Sequence, residues 1–244
     1  MTYKINIINH TNKKKLSFIQ NTWNIKHDCK SKFSLIINKN RIELKNHSII
    51  CKNNIWVEFN YKKMKLYEYD KKIKMIQAIG IKKNIFPNIL DATTGLGKDA
   101  FIFFSHGCHV TMVERNPIIS ILLYDGLKRS YKDNNIKNLI KQRMHLIYNT
   151  SFNINKFNIK QPDVIYLDPM FPKIKKKALS KKTIRTIQDI VGYDTDSDLL
   201  LSKCISFAIK RVVVKRPKQS YHLANIKPHH IIKTKKHRFD IYVK

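Results

Sequence analysis

At 244 residues with 43% hydrophobic content, the chain suits one sizeable domain, or a core domain with a small appendage, and wholesale disorder is excluded. No stretch has the apolar run of a signal peptide or a membrane span, and the four scattered cysteines form no C-x-x-C pair. A membrane protein, a disulfide framework and a zinc site are thereby set aside, and a reducing cytoplasm is expected. The formal charge of +31 comes from 48 basic against 17 acidic residues. Its Lys, Asn and Ile richness matches AT-rich codon choice, whereas the shortage of acids points to a polyanionic partner, nucleic acid first.

Residues 1–70 read as a small sheet-rich N-terminal α+β subdomain, ahead of a main domain over 71–244. Tyr3–Ile8 has the pattern of a short strand, and Lys14–Ile25 has room for a short helix. Phe33–Ile37, Arg41–Leu44 and Ile55–Phe59 alternate as strands, with Asn/Lys turns between them. The lysine-rich, tyrosine-studded stretch Tyr61–Lys74 leads into a helix ending near Gly80. Aromatics among lysines suit single-stranded RNA, although a solvated helix face is the commoner reason for them.

From Ile89 strands and helices alternate, which predicts a mostly parallel sheet. The strands are Ile89–Ala92, Val110–Glu114, His145–Tyr148, Val164–Leu167, Val212–Lys215, His230–Ile232 and Phe239–Val243. Asn116 as N-cap and Pro117 at the first helical position start one helix. Thr195-Asp-Ser-Asp198 has the form of a capping box before Leu199. The last two strands leave no room for a helix between them and should form an antiparallel hairpin. Five parallel-type strands closed by a hairpin predict a Rossmann-like α/β sheet of seven strands, the arrangement of class I methyltransferases.

Four features fall at the C-terminal ends of successive strands, where open α/β sheets bind ligands. The first is "DATTGLGKDAF": the apolar run Asn88-Ile-Leu leads in to Asp91, and Gly95 and Gly97 make a tight turn into a helix. Its Gly95–Ala100 portion fits the loose G-x-G-x-x-G/A form, which leaves NAD, a nucleotide, S-adenosylmethionine and no ligand all open. The second is Glu114, 19 positions after Gly95, placed to accept hydrogen bonds from ribose hydroxyls. The third, Asn149-Thr150-Ser151, offers small polar groups to an adenine edge, or is a plain turn.

The fourth is "VIYLDPMFPK", in which an apolar strand delivers Asp168, Pro169 stiffens the turn and Phe171 projects a ring. This resembles the D/N-P-P-F/Y motif of methyltransferases acting on exocyclic amines. Such an amine is a poor nucleophile because its lone pair is delocalised into the ring. Accepting its N–H bonds at Asp168 localises the lone pair toward a sulfonium methyl, and Phe171 stacks on the flipped base. Nicotinamide chemistry has no use for Asp-Pro-Met-Phe, and no G-x-x-x-x-G-K-[ST] occurs.

With "VERNP", "LLYDGL", "KRVVVKRP" and "HRFDIY" added in order, the chain resembles the bacterial RsmJ-type 16S rRNA guanine-N2 methyltransferases. That resemblance implies methyl transfer from S-adenosylmethionine to N2 of guanine 1516 in the small-subunit RNA, free or in the ribosomal subunit, without metal or membrane. It implies cofactor contacts from Lys98, Asp99, Glu114, Arg115, Thr150, Ser151 and Asp168, with Asp91, Gly95 and Gly97 shaping the loop; Lys98 stands where an arginine is usual. Lys173, Lys175, Lys176, Lys177, Lys215 and Arg216 are expected to meet RNA phosphates. An amino-methyltransferase for another RNA or DNA base, and a non-catalytic basic RNA-binding protein, are the competing readings.

Overall fold

The computed structural model describes residues 2–48, 54–69, 73–170 and 182–244. The chain opens with β1 (Tyr3–Asn9), α1 (Lys13–Trp23), β2 (Ile25–His27), β3 (Phe33–Ile37), β4 (Ile42–Asn46), α2 (Tyr61–Tyr69) and α3 (Ile73–Ile79). It continues through β5 (Asn88–Asp91), α4 (Lys98–Ser105), β6 (His109–Glu114), α5 (Pro117–Ser130), α6 (Lys137–Arg143) and β7 (Met144–Tyr148). The last elements are β8 (Val164–Leu167), α7 (Lys182–Val191), α8 (Ser197–Phe207), β9 (Arg211–Pro217), β10 (His230–Lys233) and β11 (His237–Val243).

The first four strands form a sheet in the order β2-β1-β3-β4, with β1 parallel to both β2 and β3. Asn24, left-handed at φ 48°, ends α1 and turns the chain into β2, two residues short of the expected helix end. The strand expected over Ile55–Phe59 is a single bridge from Ile55 to Leu44. Beyond it the backbone leaves the sheet for α5, where the Arg129 guanidinium donates to the Val57 carbonyl. A Cβ on Gly126 would lie 2.7 Å from Val57 Cγ1, so only glycine admits this crossing. The subdomain boundary expected at 70/71 lies outside the described residues.

The larger sheet has the order β10-β11-β9-β8-β5-β6-β7, its five strands β5–β9 parallel and β11 antiparallel to both neighbours. The expected Rossmann-like α/β sheet and its terminal hairpin are therefore present. The N-terminal sheet, α4, α5 and one face of the large sheet share one apolar cluster, which includes Ile5, Leu35, Phe101, Ile118 and Val213. α8 covers the other face with Leu200, Leu201 and Cys204. Trp23 Nε1 donates to Ser120 Oγ at 2.9 Å, joining α1 to α5 inside this core. Among the described residues no helix is long and apolar enough to cross a membrane.

Strand order sets the position of the site. The chain runs outward from β5 through β6 to β7, then returns to place β8 on the other side of β5. That reversal opens a crevice at the carboxyl ends of β5 and β8. Asp91 ends one of these strands and Asp168 follows the other.

Candidate active site

A cleft of about 720 Å³ occupies this reversal point. Its lining includes Asp91, Gly95, Lys98, Asp99, Glu114, Arg115, Thr150, Ser151, Asp168, Pro169, Lys215 and Arg216. Volume and position suit a ligand of nucleoside size. Six carboxylates line it (Asp91, Asp99, Glu114, Asp168, Asp194 and Asp196), out of only 17 acids in a chain of net charge +31. Lys98, Arg115, Lys215 and Arg216 share the lining, so the wall offers both signs of charge to a ligand.

Gly95 and Gly97 both take left-handed φ, +54° and +70°. Gly97 is not in the cleft wall. A Cβ there would lie 2.8 Å from Leu123 Cδ2 and 2.9 Å from Phe59 Cζ, so this glycine seats the loop against α5 and the 55–59 segment. Gly95 presents its N–H to Glu114 Oε2 at 3.0 Å, while Glu114 Oε1 accepts the Asn116 N–H at 2.7 Å. Asn116 in turn caps α5 as expected, accepting from the N–H groups of Ile118 and Ile119. Burial pushes the Glu114 carboxyl up to about 7, against the pull of those two N–H bonds. Glu114 thus clamps the glycine loop, and its remaining lone pairs line the cleft.

Asp91 is fully buried at the floor, with Thr93 N–H 3.3 Å from its Oδ1. Burial first, then the neighbouring Asp99, holds its pKa well above the usual carboxylate range. Thr150 accepts from the Phe152 N–H, and Ser151 donates to the Ala92 carbonyl at 2.6 Å. The Ser151 hydroxyl therefore ties the loop after β7 to the end of β5. Arg115 pairs with Asp194 at 2.5 Å and Asp196 at 2.6 Å. Asp196 precedes α8 but makes no side-chain cap, so the capping box expected at 195–198 is not formed. Its carboxylate goes to Arg115, and Asp198 accepts from the Ala224 N–H instead.

At the end of β8, the Asp168 N–H donates to Thr93 Oγ1 at 2.6 Å. Asp168 Oδ2 accepts from Lys215 Nζ at 2.8 Å, and the same ammonium reaches Asp99 Oδ2 at 2.9 Å. Tyr166 OH completes the group, donating to Asp99 Oδ2 at 2.6 Å. Burial raises the Asp168 pKa and Lys215 opposes the rise; on Lys215 the two carboxylates outweigh burial and raise its pKa.

These contacts correct two expectations. The Lys215 ammonium is not free for a phosphate, because it is held between two cleft carboxylates. Arg216 is buried, with a guanidinium N–H donated to the Tyr221 carbonyl at 2.5 Å. Phe171, Lys173, Lys175, Lys176 and Lys177 lie outside the described residues. Thr93, Tyr166, Asp194 and His237 were not anticipated, although Tyr166 and His237 sit on strands whose ends meet the cleft. Asp194 also accepts the Met170 N–H at 2.7 Å, bracing the turn after Asp168.

Comparison with known proteins gives a consistent picture. Residues 18–244 match a family model for SAM-dependent methyltransferases. A ribosomal RNA small subunit methyltransferase J from Buchnera aphidicola subsp. Schizaphis graminum is 46% identical over 97% of this chain and 96% of its own. Its namesake from Proteus mirabilis is 42% identical over 93% of each. The crystal structure of a SAM-dependent methyltransferase from Neisseria gonorrhoeae superposes with a TM-score of 0.75 at 26% identity, covering 98% of this chain and 95% of the other.

Proposed function

The chain belongs to the small-subunit ribosomal RNA methyltransferase J family, and within that family we propose that its cleft methylates N2 of a guanine in 16S rRNA. It is a SAM-dependent rRNA methyltransferase. The site fits that cofactor: a nucleoside-sized cleft lined by carboxylates and basic side chains together suits a ligand that carries a sulfonium, an ammonium and a carboxylate. When bound, S-adenosylmethionine supplies an electrophilic methyl group. Glu114 would hold its ribose, the loop at Gly95–Asp99 its amino-acid end, and Thr150 and Ser151 its adenine edge.

The observation that carries the guanine-amine reading is Asp168, an acceptor at the cleft mouth with its side chain 39% exposed. An exocyclic amine donates N–H to that carboxylate, which draws the nitrogen lone pair out of the ring and aims it at the methyl carbon. Pro169 stiffens the turn that sets the carboxylate. Phe171 stacks on the extruded base, and Lys173, Lys175, Lys176 and Lys177 meet the phosphates around it. By family resemblance the target is guanine 1516, in free 16S rRNA or the assembling small subunit in the cytoplasm.

The test is transfer of labelled methyl from S-adenosylmethionine to unmodified small-subunit RNA, wild type beside Asp168→Asn. Label recovered as N2-methylguanine, and reduced at least about a hundredfold in the variant with cofactor affinity retained, is expected. Label on another base moves the reading to a different amine. Cofactor bound by neither protein leaves a non-catalytic RNA-binding protein.

A further inference from the structure

Lys215 is an unusual residue to find in this cleft. It is 22% exposed in a chain whose other lysines are mostly solvated, and it sits between two carboxylates at 2.8 and 2.9 Å. Removing a lysine from water is unfavourable unless its charge is compensated, and here Asp99 and Asp168 compensate it from two different elements, α4 and the end of β8. Asp99 is itself held by the Tyr166 hydroxyl at 2.6 Å. The sequence β9-Lys215, α4-Asp99, β8-Tyr166 thus forms a braced chain that ends on one oxygen of Asp168. Among the described residues no donor reaches the other oxygen, Oδ1.

We propose that Lys215 is a positioning residue for methyl transfer: its ammonium clamps Asp168 Oδ2, with Asp99 and Tyr166 behind it, so that Oδ1 is presented as a carboxylate oxygen to the target amine. The inference rests on the guanine-amine reading of Asp168 and adds the group that makes that acceptor competent. In the reaction the nitrogen lone pair forms the N–C bond. The S–C bond breaks and its electron pair stays on sulfur. The nitrogen, now with one proton too many, releases it to Asp168 Oδ1 and onward to water. Each part needs Asp168 ionised and fixed, because a protonated carboxyl neither draws on the N–H as strongly nor takes the proton.

Among the described residues Lys215 is the cation that pairs with this carboxylate. The titratable groups facing it are Asp99 from α4, Asp91 from β5, Tyr166 from β8 and Asp194 after α7, all acidic. His237 from β11 faces Lys215 and Asp99, and burial together with Lys215 keeps it from charging readily. An opposite charge at this distance typically moves a carboxylate by about one to three pH units.

The experiment reads Asp168 directly. In protein carrying ¹³C-carboxyl aspartate, the resonance that disappears in Asp168→Asn identifies this group, and its titration midpoint is followed in wild type, Lys215→Met and Lys215→Arg. The midpoint should rise by at least about one unit in Lys215→Met and much less in Lys215→Arg. The acid limb of the methyl-transfer rate should move with it. Retained cofactor binding by Lys215→Met establishes that the variant is folded, and if it does not fold, Lys215→Gln takes its place.

An unmoved midpoint overturns the proposal whether or not the chain methylates RNA. A midpoint that moves while the rate falls equally at every pH overturns the role in the reaction and leaves a structural ion pair. Failure of wild type to label guanine, with the midpoint shifted as expected, counts against the reading of the substrate and not against the clamp.

Discussion

Replacing Glu114 by Gln tests the electrostatics of the glycine loop. In the native protein this carboxyl is 6% exposed and titrates near 7, against an ordinary value of 4.5. The folded state therefore holds its proton to higher pH than the unfolded state does. The sign follows: Glu114 contributes nothing adverse below about 4.5, native stability falls as pH rises from there to about 7, and the loss then levels off. At about 1.4 kcal/mol per unit the total is roughly 3 kcal/mol. Glutamine has no such titration, but its amide opposes one of the two N–H groups from Gly95 and Asn116, a pH-independent cost of about 1–3 kcal/mol. Denaturant unfolding followed by tryptophan fluorescence at pH 5 and pH 8 separates the two effects. Wild type should lead the variant at pH 5 and lose most of that lead by pH 8. A stability difference that stays constant across this range refutes the claim that burial dominates Glu114. Adding S-adenosylmethionine should flatten the wild-type slope, since ribose hydroxyls donating to Glu114 favour its ionised form.

Gly97→Ala should cost about 1–2 kcal/mol for its left-handed backbone and a further 1–3 kcal/mol for contacts with Leu123 and Phe59. Gly95→Ala, with nothing within 4 Å of its new Cβ, should cost the backbone share alone, so equal losses in thermal unfolding would contradict the packing account. Trp23→Phe should destabilise by about 1–3 kcal/mol because it strands the fully buried Ser120 hydroxyl, and adding Ser120→Ala should restore part of the loss. Alanine at Lys175, Lys176 and Lys177 should lower the slope of log affinity for single-stranded RNA against log salt by about two. An unchanged slope would remove these lysines from the phosphate contacts.

The large sheet was readable because its signals are local. Val164–Leu167 and Val110–Glu114 are short apolar runs with a polar residue at the exit, and Asn116-Pro117 is a helix start that competes with nothing. Where reading failed, a residue satisfied a distant partner in place of its chain neighbours. Ile55–Phe59 alternates like a strand, but Val57 and Phe59 bury themselves against Gly126 and Gly97, glycines far along the chain. Asp196 has the spacing of a cap and instead neutralises Arg115. The short helix α6 buries Ile140 and little else, which leaves no periodicity to detect. Lys215, at the end of the strand expected over Val212–Lys215, carries with Arg216 the expectation of a phosphate contact. Its parity was the missed signal: Val213 faces the main core, so Lys215, two residues on, extends that same face where it meets the cleft.

This parity bears on how a charge of +31 should be understood. Spread evenly over the surface, such an excess attracts any polyanion and says little about chemistry. Its distribution says more, because six of 17 acids converge on one cleft where burial raises the pKa of Asp91 and Glu114. Buried acids repel one another and would take up protons, and a protonated wall has no attraction for a sulfonium. Four of the six are answered by cations in the cleft, Lys215 between Asp99 and Asp168, and Arg115 between Asp194 and Asp196. Basic residues on the outside and basic residues in the cleft therefore act in opposite directions. The first draw an anionic RNA toward the protein; the second hold their partner carboxylates in the ionised, accepting form.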